Sequence, residues 1–75
     1  MRIDRVEFDE DNIEHVTSHG VTIAEIEAVF RSQPQVRRNK GGRTADYYVV
    51  AKGVRVNFLY RPGVARPISA WSLEP

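Results

Sequence analysis

The apolar residues of this chain change period partway along. Between Phe8 and Phe30 they recur at helical spacing, and from Tyr47 onward they alternate as in strands. Ile3, Val6 and Phe8 interrupt a charged N-terminus, which predicts a short edge strand whose charges blunt unwanted pairing. Asp9 is placed to cap a first helix over about Glu10 to His19, with Phe8 and Ile13 at staple spacing and Ile13 and Val16 as its apolar stripe. Gly20 stands where a helix commonly ends in a left-handed residue. Thr22-Ile23-Ala24-Glu25 is a capping box, and Val21 with Ile26 supplies a second staple. The second helix, about Ile23 to Ser32, turns Ile23, Ile26, Val29 and Phe30 inward and stops before Pro34.

The strand signal is clearest in Asp46 to Ala51 and Val54 to Arg61, joined by Lys52-Gly53 as a two-residue hairpin. This register pairs Ala51 with Val54, Val49 with Val56 and Tyr47 with Phe58 on a core face. Tyr48, Val50, Arg55, Asn57 and Leu59 fall on the other, with Arg61 at its rim. After a turn at Pro62-Gly63, a last strand over about Arg66 to Trp71 is expected to put Ile68 and Ala70 in the core. That parity needs a three-residue loop or a bulge, and Pro67 argues for an edge or irregular position. The expected fold class is α+β, in the order β-α-α-β-β-β(-β), with two N-terminal helices packed on one face of a small antiparallel sheet. Residues 1–75 form a single domain.

Charge sharpens this picture. The formal net charge is only +1, but residues 1–30 carry eight acids against two arginines, net −6, and residues 31–75 carry nine bases against two acids, net +7. An acidic helical side and a basic sheet side follow, the latter suited to a polyanion or an acidic partner protein. Arg37, Arg38, Lys40 and Arg43 place four cations in seven residues around Gly41-Gly42, as a phosphate-contacting strand and loop would. The run lacks the pattern of a nucleotide-binding P-loop. Half of the outer sheet face (Tyr48, Val50, Leu59) is apolar, which suits a protein partner or a second copy of the chain.

Other chemistry is thin. There is no cysteine, so disulfides, thiolate metal sites and cysteine nucleophiles are excluded and a reducing cytoplasm fits. No secretory signal or membrane-length apolar run is present. Asp11, His15 and His19 share helical spacing, but no further ligand completes a metal shell and none is expected. Paired carboxylates and a serine–histidine–acid set are also missing, and both helices are too acidic for a DNA-recognition helix. Trp71, the single tryptophan, is either an apolar lid on the sheet end or a stacking and partner-anchoring residue.

Several segments together resemble a known family. They are Phe8-Asp9 with Asp11-Asn12, His19-Gly20-Val21-Thr22, Glu25 to Phe30, Val36-Arg37-Arg38 with Gly41-Gly42-Arg43, and Arg66-Pro67-Ile68-Ser69-Ala70. In this order the chain resembles the BrnT-like toxins of bacterial type II toxin–antitoxin systems, within the RelE-like small ribonucleases. Two departures accompany the likeness. Trp71 stands where the family usually has a basic residue leading into a C-terminal helix, and Lys52-Gly53 is shorter than the family's usual connection between its central strands. A compact or degenerate member, or a sheet face covered by another molecule, is the expectation.

The resemblance implies a metal-independent ribonuclease without cofactors, neutralised in the cytoplasm by a cognate antitoxin protein. Such cleavage needs cations for the charged phosphorane and groups to move two protons. Arg43, Arg55, Arg61 and Arg66 are the catalytic cations to expect, with His19 beside them. Arg37, Arg38 and Lys40 would hold RNA phosphates. Proton-transfer candidates also include His15, Asp46, Tyr48 and Tyr60. Tyr48, Val50, Asn57, Leu59 and Trp71 would meet the antitoxin. The alternative is a non-catalytic interaction module that binds a protein or nucleic acid through the same basic sheet.

Overall fold

Lys52 and Gly53 both have positive φ, 55° and 73°, the combination a two-residue hairpin needs to match strand twist. The computed structural model describes residues 1–40 and 45–73. Among these, the chain forms β1 (Ile3–Val6), α1 (Ile13–Val16), α2 (Ile23–Arg31), β2 (Arg37–Arg38), β3 (Tyr47–Ala51), β4 (Val54–Arg61) and β5 (Gly63–Ser72). The fold is α+β with both helices N-terminal to most of the sheet. The β3–β4 register is the expected one, with Ala51 opposite Val54, Val49 opposite Val56 and Tyr47 opposite Phe58.

The strand order is β1-β5-β4-β3-β2. β1 runs parallel to β5, so the sheet is mixed and not purely antiparallel as expected. From β1 the chain passes through α1 and α2 to β2 at the opposite edge and winds back antiparallel through β3 and β4, so β5 arrives beside β1 in the same direction. β1 and β2 are the edges. The core between helices and sheet is built from Val16, Val21, Ile26, Val29, Phe30, Val49, Val56, Phe58, Ala65 and Ala70, all buried. Phe30 meets Phe58 edge to face, with ring centroids 5.2 Å apart.

Local signals account for α2. Thr22 accepts from the Glu25 backbone N–H at 3.1 Å while the Glu25 carboxylate accepts from the Thr22 N–H at 3.0 Å. Gly20 bends the chain just before, at φ +84°, where any other residue would be strained. α1 is shorter than expected, four residues in place of about ten. Asp9 is not its cap: the Asp9 carboxylate accepts from the Asp11 N–H at 2.9 Å, in a turn ahead of the helix. Asn12, buried, draws that turn inward. Its amide donates to the carbonyls of Glu7 at 3.0 Å and Pro67 at 2.9 Å, while its oxygen accepts from the Asp9 N–H at 2.8 Å. At the other end the Thr17 and Ser18 hydroxyls donate to the carbonyls of Ile13 and His15, at 2.8 and 2.7 Å, and the helix ends.

The last strand corrects a second expectation. Pro62-Gly63 makes a two-residue turn, with Arg61 opposite Val64, and Gly63 takes φ +80°. A Cβ there would also meet the Asp4 carboxylate at 2.9 Å. Parity is changed by a bulge inside β5 instead: Asn57 faces Ser69 and Phe58 faces Pro67, leaving Ile68 over. Pro67 and Ala70 therefore take the core positions, and Ile68 is half-buried beside the outer face. Pro67 lies in an inner strand, not at an edge, and its missing N–H falls at that irregularity, beyond the last β1 pair.

Candidate functional site

The buried apolar residues of both helices pack on one face of the sheet, and α1, against β5, turns His15 toward the other. Strand register assigns the occupants of that other face. Tyr48 and Val50 come from β3, and Arg55, Asn57, Leu59 and Arg61 from β4. Arg66, Ser69 and Trp71 follow on β5, and Arg37 stands opposite Tyr48 on β2. Val50 is exposed, while Tyr48 and Leu59 are half-buried, so the half-apolar face is uncovered among the described residues.

At the centre of this face Arg55 is held by uncharged groups. Its Nη2 donates to the Asn39 side-chain oxygen at 2.9 Å and its Nε to the Asn57 side-chain oxygen at 3.3 Å. The guanidinium carbon lies 3.8 Å from the centroid of the Tyr48 ring and 5.6 Å from that of Trp71. Asn39 in turn donates to the carbonyls of Ala45 and Tyr47 and to the Asn57 oxygen, at 3.1, 3.2 and 3.2 Å. Asn57 donates to the Ser69 hydroxyl at 2.9 Å. Among the described residues no carboxylate forms an ion pair with Arg55. Asn39, Arg55, Asn57, Ser69 and Trp71, with His15, Ile68 and Ala45, line an open cleft of about 380 Å³.

At one end of the same face the arginines are tied down. Arg61 makes a two-pronged pair with Glu7, at 3.1 and 2.6 Å. Arg66 donates to Glu7 at 3.0 Å and to both oxygens of Asp9, at 2.7 and 3.0 Å. Arg5 adds a looser contact to Glu7 at 3.7 Å. Hydrogen bonds from Arg61 and then Arg66 hold the Glu7 carboxyl down to about 2. Asp9 is likewise lowered to about 2, by Arg66 first and then by the Asp11 and Asn12 backbone N–H groups. The acidic N-terminal half thus does not stay on the helical side: Glu7 and Asp9 fold onto the sheet face and occupy two of its cations.

The other sequence candidates scatter around this core. His19 lies past the end of α1 with its ring T-shaped to that of Trp71, centroids 6.5 Å apart, while His15 lines the cleft itself. Arg37 is exposed and donates to Gln35 at 3.3 Å. Arg38 is on the opposite face, with its guanidinium carbon 5.7 Å from the Tyr47 ring, and so is not grouped with Arg55. Lys40 is exposed next to Asn39. Arg43, with Gly41-Gly42, lies outside the described residues. Tyr60 is on the core side and donates to the Arg2 carbonyl at 2.9 Å.

Sequence reasoning missed Asn39 and Ser69. Neutral amides and hydroxyls carry no composition signal, and only the pairing of β2, β3, β4 and β5 brings them together. Among the described residues no three histidine, aspartate or glutamate side chains gather as a metal site requires, and no helix is long and apolar enough to cross a membrane. Comparison with known proteins finds no matching family model, no matching curated protein and no matching solved structure.

Proposed function

We propose that this chain is the toxin of a bacterial type II toxin–antitoxin pair: a metal-independent endoribonuclease of the cytoplasm, silenced when an antitoxin covers its open sheet face. The observation that carries the reading is Arg55, a half-buried cation held between two amides and two aromatic rings. A guanidinium oriented this way keeps its full charge for a ligand, and a phosphate matches its planar donors. The aromatic rings beside it suit single-stranded RNA, whose splayed bases stack on such surfaces.

The chemistry follows from the residues that share the cleft. The 2′-oxygen attacks the neighbouring phosphorus as its proton passes to His15, and the P–O5′ bond breaks as the leaving oxygen takes a proton from His19, whose ring packs on Trp71 beside the cleft. Arg55 faces the charge that builds on the phosphorane. Arg61 and Arg66 are structural in this reading, not catalytic. The half-apolar strip of Tyr48, Val50 and Leu59 receives the antitoxin or, without it, a second copy of the chain, which light scattering distinguishes by mass.

Induced expression tests the proposal. Growth arrest with RNA decay, RNA cleavage by the purified protein in a metal chelator, and loss of both in Arg55→Ala and His15→Ala are expected. Folded protein that binds RNA without cleaving it would favour the non-catalytic interaction module. That second reading is supported by the carboxylates already seated on Arg61 and Arg66, which leave few free cations for catalysis.

A further inference from the structure

We infer that Asn57 sets the charge of the cleft: it holds Arg55 through a neutral oxygen at a position where a carboxylate would fit every hydrogen bond and would close the site to anions. The inference rests on the preceding reading of the face as a phosphate-binding surface. The geometry of Asn57 is what distinguishes it. Its side-chain oxygen accepts twice, from Arg55 Nε at 3.3 Å and from the Asn39 amide at 3.2 Å. Its nitrogen donates to the Ser69 hydroxyl at 2.9 Å, and a hydroxyl can reverse its role by rotating.

An aspartate at position 57 would therefore lose nothing. One oxygen would keep both donors, and the other would accept from Ser69. The bond to Arg55 would become charge-assisted, roughly twice as strong as one to a neutral acceptor. Asn39 offers no such exchange. Its nitrogen faces the Ala45 and Tyr47 carbonyls, and a carboxylate there would meet oxygen with oxygen. The same face shows what arginines look like when carboxylates hold them, at Glu7 and Asp9. Position 57 thus carries the weaker of two sterically equivalent partners, and the consequence is a cation left with its charge facing the cleft.

The test compares Asn57→Asp with Asn57→Ala in the full chain. Thermal unfolding is read without ligand. Binding of an uncleavable 2′-O-methyl RNA oligomer is read by anisotropy and by fluorescence of the single tryptophan, Trp71, over a range of salt concentrations. Asn57→Asp is expected to melt at or above the wild-type temperature while its affinity falls about tenfold or more. Its salt slope should drop by about 0.7, one single-strand phosphate contact. Asn57→Ala is expected to melt lower and bind more weakly with the wild-type slope. An Asn57→Asp protein that binds with wild-type affinity and slope overturns the inference, as does one that melts well below wild type. Failure of the wild-type chain to bind the oligomer at all overturns the nucleic-acid reading of the face, and this inference with it.

Discussion

Arg55 and the pair Arg61 and Arg66 stand on one sheet face, within two adjacent strands, and differ in what holds them. Arg55 rests on amides and aromatic rings; Arg61 and Arg66 rest on Glu7 and Asp9. The first arrangement fixes a cation without cancelling it. The second cancels two cations and, in doing so, fastens the chain after β1 to β4 and β5. Counting arginines on a face therefore overstates its appetite for anions, because a charge pattern read along the chain says nothing about which charges meet.

The largest expected effect separates the two regions directly. Removing Arg55 (Arg55→Ala) should lower RNA cleavage about a hundredfold or more, as loss of a positioned transition-state cation does, measured by single-turnover decay of a defined oligomer. Arg55→Lys should recover only part of this, since a point charge lacks the planar fork. Arg61→Ala should change the same rate by less than about fivefold while lowering Tm. Equal losses from Arg55→Ala and Arg61→Ala would erase the distinction.

A smaller effect is expected at Asn12, which joins the carboxylate-bearing segment to the bulged strand through its buried amide. Asn12→Ala leaves the Pro67 and Glu7 carbonyls without that donor and should cost about 1–3 kcal/mol in chemical denaturation. Because α1 carries His15 toward the cleft, cleavage should fall more than oligomer binding does. A variant that loses binding as much as cleavage would show that the two regions are not separable.

The legibility of these features in the sequence followed their range. The β3–β4 register could be read because alternation and the Lys52-Gly53 turn are local and mutually consistent, and the Thr22–Glu25 box spans four residues. The parallel pairing of β1 with β5 could not, since its partners lie about sixty residues apart and β1 has only four residues of pattern. The bulge at Ile68 was half-visible: Pro67 announced an irregularity, but alternation alone placed the wrong residue inside. Of the site, parity places Arg55 and Asn57 on the outer face, and Trp71 stands out only as the single large indole ring at the sheet end. The division of labour among the arginines was hidden, because Glu7 and Asp9 read as helix-side acids until the chain brought them across.

The smallest expected effect concerns acid stability, and it isolates the paired region. Glu7 and Asp9 both have folded values lowered to about 2, against ordinary values of 4.5 and 3.8. A depressed carboxyl contributes stability that is fully present above its ordinary value and disappears as pH falls through the folded one. Wild-type Tm should thus decline progressively between about pH 4.5 and pH 2 through these groups. Glu7→Gln removes one of the two protonations, so it should melt a few degrees lower at pH 7, decline less steeply, and meet the wild-type curve near pH 2. The side chains of Arg61 and Asp9 are about half exposed, so added salt should narrow the gap at neutral pH. Oligomer binding at Arg55 should keep its wild-type salt slope or steepen slightly, because the substitution frees Arg61 to meet a phosphate. A flatter slope in Glu7→Gln would mean that the carboxylate supports the open site from a distance, and the contrast between the two arginine groups would then describe one connected network.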